Sequence, residues 1–144
     1  MFICRAGSAF RPRGATAGLA EAFATTLILP AQQQGVRPRI DSVARDAGLI
    51  LANVIEINSI AILKSALLAD MGATILPLAP LGAEVAAGAM QAHRLDPGMS
   101  RSVTLCASRN IPLTNAATAV KRLVHQVTQE LCASGAWPGA RVTG

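Results

Sequence analysis

Tyrosine is absent from this chain of 144 residues, and tryptophan and phenylalanine together supply only four side chains. That scarcity argues against an aromatic platform on which nucleic-acid bases could stack. Three cysteines, Cys4, Cys106 and Cys132, stand far apart with no CxxC pair. A disulfide framework or a structural zinc site is therefore not expected, and a reducing, cytoplasmic setting fits. No apolar run approaches the roughly 20 residues of a membrane span. The one candidate, after Gly72, is broken by Pro77, Pro80 and Glu84.

Acidic residues are missing before Glu21, where Arg5, Arg11 and Arg13 produce most of the net charge of +5. From residue 15 to residue 140, nine Lys/Arg face eight Asp/Glu, so the body is nearly neutral. DNA binding through counterion release needs clustered cations, and none form a stripe here. "MFICRAGSAFRPRG" has too short an apolar start for a signal peptide. Arginine is preferred to lysine throughout, which weakens a transit-peptide reading of its Arg-rich character. Residues 1–16 are expected to be disordered or unrelated to the rest of the chain.

Half the residues are hydrophobic, chiefly Ala, Leu, Ile and Val. This composition suits helices packed on buried strands, and the length suits one domain or two small lobes. "AGLAEAFA" reads as a short helix and "TTLILP" as a strand stopped by Pro30. In "VRPRIDSVARDAG", Val36, Ile40, Val43, Ala44 and Ala47 recur at helical spacing, with Gly48 to end the helix. "LILANVIEI" is strand-like. Asn58 or Ser59 then caps a helix expected to bury Ile60, Leu63, Leu67 and Leu68. "GATILP" is the next strand, "APLGAEVAAG" a short helix and "MQAHRL" an edge strand. "RSVTLCAS" reads as a further strand with Cys106 as a small buried hydrophobe. The longest helix starts at Thr114 or Asn115 and runs to about Ala133, with Val120, Leu123, Val127 and Leu131 in its apolar stripe. Alternating strands and helices indicate an α/β sheet.

Catalytic signatures are missing. There is no phosphate loop, dinucleotide fingerprint, GxSxG elbow or HExxH. His93, on the supposed edge strand, and His125, on the polar side of the last helix, read as surface residues. Glu56 at a strand end reads as a salt-bridge or helix-mouth residue. An enzyme is the weaker hypothesis, and neither cofactor nor metal is expected. The remaining feature is Asn58-Ser59 at a helix mouth. Such residues ordinarily cap the first free N–H groups. With an anion present, the hydroxyl and the backbone donors can hold a carboxylate or phosphate instead. Pro30-Ala31 and Pro77-Leu78 also come directly after strands, and ligands of α/β sheets sit beyond the carboxyl ends of strands.

Three stretches, "LILPAQQQGVRPRID", "EINSIAILKSALLADMGATILP" and "SRSVTLCASRNIPLTNAATAV", together resemble the effector-binding region of LysR-type transcriptional regulators, in particular the nitrogen-assimilation-control-like branch. Leu29-Pro30, Gly35 and Arg37 stand at matching places, and the resemblance extends over residues 17 to 134, leaving 135–144 as a flexible tail. It implies a periplasmic-binding-protein-like α/β fold, a mixed sheet flanked by helices. It also implies a homo-oligomeric regulator responding to a small-molecule effector, and the helix mouth favours an anionic one. Carried onto this chain, the effector-binding residues are Pro30, Ala31, Asn58, Ser59, Ile60 and Pro77. The family's winged helix-turn-helix and first lobe have no counterpart here, so the expectation is a truncated form with no DNA contact and no membrane contact. On that reading the last helix comes from the missing lobe and its apolar stripe faces water. A lobe of a periplasmic-type solute-binding protein is the alternative. Two departures stand out: Asp70 occupies the place of a helix-ending glycine, and "QQQ" replaces a more basic loop.

Overall fold

The computed structural model describes residues 1–33, 35–108, 110 and 112–143, in two compact units, 1–101 and 102–144. Gln34 of the glutamine loop, and Arg109 and Ile111 of the third matched stretch, lie outside the described residues.

In the first unit the strands are β1 (Phe2–Arg5), β2 (Thr16–Gly18), β3 (Thr26–Leu29), β4 (Asn53–Glu56), β5 (Thr74–Ile75) and β6 (Met90–Asp96). The helices are α1 (Leu19–Ala24), α2 (Arg37–Asp46), α3 (Ile60–Leu68) and α4 (Gly82–Ala86), the last preceded by a 3-10 turn at Ala79–Leu81. A four-stranded sheet has the order β2-β6-β1-β5, and β3 pairs with β4 in a second ladder. One bridge joins the two: the Ala73 N–H donates to the Thr26 carbonyl at 2.9 Å, and the Ile28 N–H donates to the Ala73 carbonyl at 2.7 Å. β1 is antiparallel to both β5 and β6, while the β2–β6, β3–β4 and Leu27–Ala73 pairings are parallel. β1 alone therefore runs against the other strands.

Strand alternation sorts the core into two layers. Phe2, Cys4, Leu27, Leu29, Ala73 and Ile75 face Leu19, Ala22 and Phe23 of α1 and Ile40 and Ala44 of α2. Ile3, Ile28, Leu76 and Met90 face Leu63, Ala66 and Leu67 of α3. Strands covered on both faces need apolar residues at every position, which explains the unbroken "LIL" of β3.

Helix ends obey local chemistry. Gly48 and Gly88 adopt positive φ after α2 and α4. After α3 the same position is held by Asp70 at φ 58°. Its N–H donates to the Leu67 carbonyl at 2.9 Å, and the Met71 N–H donates to the Ala66 carbonyl at 3.1 Å, the paired bonds of a Schellman end. The Asp70 carboxylate reaches Arg5 at 2.9 Å, a contact no glycine could make.

Several expectations are corrected. The opening stretch is not disordered: Phe2, Ile3 and Cys4 are buried in β1 between two strands, because β5 and β6 satisfy its backbone. β6 is flanked by β1 and β2 and is not an edge strand, so His93 is half-buried. In α3, Ala66 joins Leu63 and Leu67 on the buried side, whereas Ile60 and Leu68 are exposed. The covered stripe is the i, i+3, i+4 row beginning at Leu63. Residues 101–108 form no strand, and Cys106 is exposed. From Ser102 on the segment belongs to the second unit, in which no strand is described to pair with it.

The second unit contains α5 (Asn115–Ala133), whose N-cap Thr114 accepts from the Ala117 N–H at 3.1 Å. Gly135 at positive φ ends it. The stripe of Val120, Leu123, Val127 and Leu131 is exposed, Val120 by 60%, so its own unit does not cover it. Burying such side chains is worth roughly 1.5–3 kcal/mol each, comparable in sum to a domain's net stability of about 5–15 kcal/mol.

The chain is accordingly expected to self-associate through α5, with Leu123→Lys and Val127→Lys together shifting sedimentation toward monomer; a wild-type monomer at all concentrations contradicts this. A Cβ on Gly72 would lie 2.6 Å from the Thr26 carbonyl oxygen, so Gly72→Ala costs about 1–3 kcal/mol in denaturant melts. The hydrogen bond from Arg5 holds the Asp70 carboxyl below its ordinary value. The stability from this pair is present above that ordinary value and is lost as pH falls through the depressed one. Acid melts of Asp70→Gly therefore fall less steeply over that window than those of the wild type.

Candidate functional site

Parallel pairing brings the carboxyl ends of β3, β4 and β5 to one edge of the sheet. Pro30 and Pro77 come after two of them and cannot donate to a ladder, so the chain leaves the sheet there. The Ile57 N–H still donates to the Leu29 carbonyl at 2.9 Å, and beyond it the chain turns into α3.

The sequence leaves open whether Asn58 or Ser59 caps that helix, and the structure divides the work between them. Ser59 is the N-cap, in an extended conformation, and its Oγ accepts from the Ile62 N–H at 3.5 Å. That length is beyond the usual range, so the cap is loose. Asn58 instead accepts from the Ala31 N–H through Oδ1 at 2.9 Å, tying the loop after β4 to the loop after β3. Pro30 and Ala31 are half-buried, while Asn58, Ser59, Ile60 and Pro77 are exposed. Five of the six expected residues thus belong to two adjoining loops and to α3, which the second of them feeds. Pro77 comes after β5 on the same edge.

Arg37 is not among the expected site residues, yet it organises this edge. Its side chain is 6% exposed. Nε donates to Asp41 at 2.8 Å, and Nη1 donates to the Pro30 carbonyl at 3.3 Å and to Glu56 Oε1 at 3.2 Å. One guanidinium thereby fastens α2 to the ends of β3 and β4. The helical i, i+4 spacing of Arg37 and Asp41 is the signal that could have found it, and Glu56 fills the salt-bridge role read for it. The two carboxylates more than offset the single Arg37 charge, so the edge offers an anion only the amides at the start of α3 and no spare cation.

Other ionisable groups lie elsewhere. Lys64 pairs with Glu84 at 2.7 Å, and this hydrogen bond pulls the Glu84 carboxyl down. Burial pushes the Cys4 thiol up, Asp70 pushes it further and Arg11 offsets part of the rise, which keeps it protonated and poorly nucleophilic. Among the described residues, no group of three His, Cys, Asp or Glu is placed to hold a metal ion. No described helix is long and apolar enough to cross a membrane.

The family described as the LysR substrate binding domain matches residues 1–129. The match starts at residue 1, so the likeness does not stop ahead of Ala17, in keeping with the structural place of β1. No curated protein sequence matches the chain. Domains of this family serve transcription regulators, bind small-molecule effectors and share the mixed α/β architecture of periplasmic binding proteins, as seen here in β1 to β6 with their flanking helices. With nearly the whole length matched, the chain belongs to the LysR substrate-binding domain family.

Proposed function

We propose that the edge formed by Pro30, Ala31, Asn58, Ser59, Ile60 and Pro77 is one wall of an effector cleft, and that it takes a small anion on behalf of a transcription regulator. The observation that carries this reading is the convergence of parallel strand ends on the N-terminus of α3. The helix amides there favour negative charge, and the long Ser59 cap leaves its hydroxyl easily recruited. A carboxylate or phosphate would accept from these donors while exposed Ile60 covers an apolar part of the ligand. Because Asn58 and Arg37 tie the same loops to α2 and to the sheet, a ligand held there would favour one arrangement of those elements over another.

The finer reading is a homo-oligomeric, cytoplasmic regulator of the nitrogen-assimilation-control-like branch, supported by the strand–helix–strand of residues 56–77. Residues 1–129 are assigned effector sensing and no DNA contact, in line with the absence of a basic stripe from residue 15 onward.

The test is calorimetry against a panel of small carboxylates and phosphates. Ser59→Ala is expected to cost about 1 kcal/mol of stability and to weaken the binding anion roughly tenfold, the worth of one charge-assisted hydrogen bond. Asn58→Ala releases the Ala31 loop and weakens binding as well. Unchanged affinity in both variants, with only the melting temperature lowered, would reduce the helix mouth to a cap.

A further inference from the structure

The same unit carries a second concavity that the strand-end reading does not use. β1 and β6 are in register such that Gln91 lies opposite Cys4 and His93 opposite Phe2. All four therefore share one face of the sheet. The loop after β1 arches over this face. Pro12 is buried and anchors it, while Arg11 and Arg13 on either side are exposed. Between loop and sheet is a hollow of about 540 Å³ lined by Ser8, Arg11, Arg13, Gln91 and His93.

Two properties of the hollow point to an anionic ligand. The first is uncompensated charge. Of the arginines in the acid-free opening stretch, Arg5 is taken up by Asp70. Among the described residues, the guanidiniums of Arg11 and Arg13 make no ion pair. The neighbouring acid, Glu21, accepts from the backbone N–H of Arg13 at 3.0 Å and shares an adjoining hollow with both arginines, but does not line this one. The second is an orphaned atom: His93 Nε2 is buried with no hydrogen-bond partner. A buried polar atom left unpaired is costly, so each one needs an explanation.

We propose that this hollow is an oxyanion site, taking a phosphate or carboxylate group that accepts from His93 Nε2–H and from the forked guanidiniums of Arg11 and Arg13. Gln91 supplies a further donor from the same strand face. The site is separate from the strand-end edge. The Leu76 N–H donates to the Met1 carbonyl, which places the start of β1 at that edge, and β1 runs away from it. The Ser8–Gly14 loop therefore emerges at the other end of the strand. Its occupant is a second ligand, independent of whatever binds at Ser59.

His93 and His125 are the only histidines, which gives the experiment an internal control. Imidazole resonances of the full chain are followed at constant ionic strength and pH while inorganic phosphate, glycerol 3-phosphate or acetate is added. The expected result is a saturable shift of His93 alone, weakened roughly tenfold by Arg11→Ala and again by Arg13→Ala, and unaffected by Ser59→Ala. Tighter binding of glycerol 3-phosphate assigns the site to an organic phosphate, tighter binding of inorganic phosphate assigns it to the free ion, and preference for acetate assigns it to a carboxylate. The proposal is overturned if His93 does not saturate with any of the three, if His125 moves equally, or if the arginine variants, still folded by their amide spectra, bind as the wild type does.

Discussion

Two hydrogen bonds at Ala73 hold the two ladders of the first unit together. Its N–H and carbonyl both bond to β3, and the residues immediately after it, Thr74 and Ile75, belong to the strand that pairs with β1. Thr74 strengthens the seam by donating its hydroxyl to the Ile28 carbonyl at 2.7 Å, fully buried. Without this one-residue bridge the two-stranded and four-stranded ladders would be separate, and β5 would not end beside β3 and β4. The close approach is possible because Gly72 has no side chain to strike the Thr26 carbonyl. The seam also sets α3, whose Schellman end at Asp70 lies only a few residues before it.

Electrostatics divides the lobe into two kinds of surface. At the strand ends the one cation, Arg37, is held by two carboxylates, Asp41 and Glu56, and no positive charge is left over for a ligand there among the described residues. Such an edge discriminates by hydrogen-bond geometry and shape. On the face beneath the Ser8–Gly14 loop the balance is reversed: Arg11, Arg13 and His93 line a hollow, and the His93 Nε2 is buried without a partner. The two proposed sites share no lining residue, so their occupants would not compete for contacts.

Much of this is legible in the sequence wherever the signal is local. Gly48, Gly88 and Gly135 mark helix ends, and Thr114 marks a start, because caps act within one turn. The "LIL" run and the proline after it identify β3. Elements defined by distant partners are not legible. β1 is four residues long, and nothing within "FICR" says that strands some seventy and ninety residues further on will enclose it. For the same reason β6 reads as an edge and "RSVTLCAS" as a strand: alternation reports which residues can line a face, not whether a neighbour exists. The candidate site is half legible. Asn58 and Ser59 draw attention as a helix mouth, but the Asn58–Ala31 bond and the threefold role of Arg37 depend on a crossover that no short-range pattern encodes.

The placement of β1 has a bearing on how the lobe assembles. Its ladder partners, Thr74 and Ile75 of β5 and residues 90–93 of β6, are contributed only after most of the first unit has been made. Loop closure of that length precedes any reward from pairing, which places the lobe among slower folders than a chain of local hairpins. During synthesis, Phe2, Ile3 and Cys4 have no ladder partner until β5, and then β6, leaves the ribosome, with Arg5, Arg11 and Arg13 nearby. Like charges repel, so Arg11 and Arg13, which line the hollow in the finished unit, also disfavour edge-to-edge pairing of β1 between two unfinished copies.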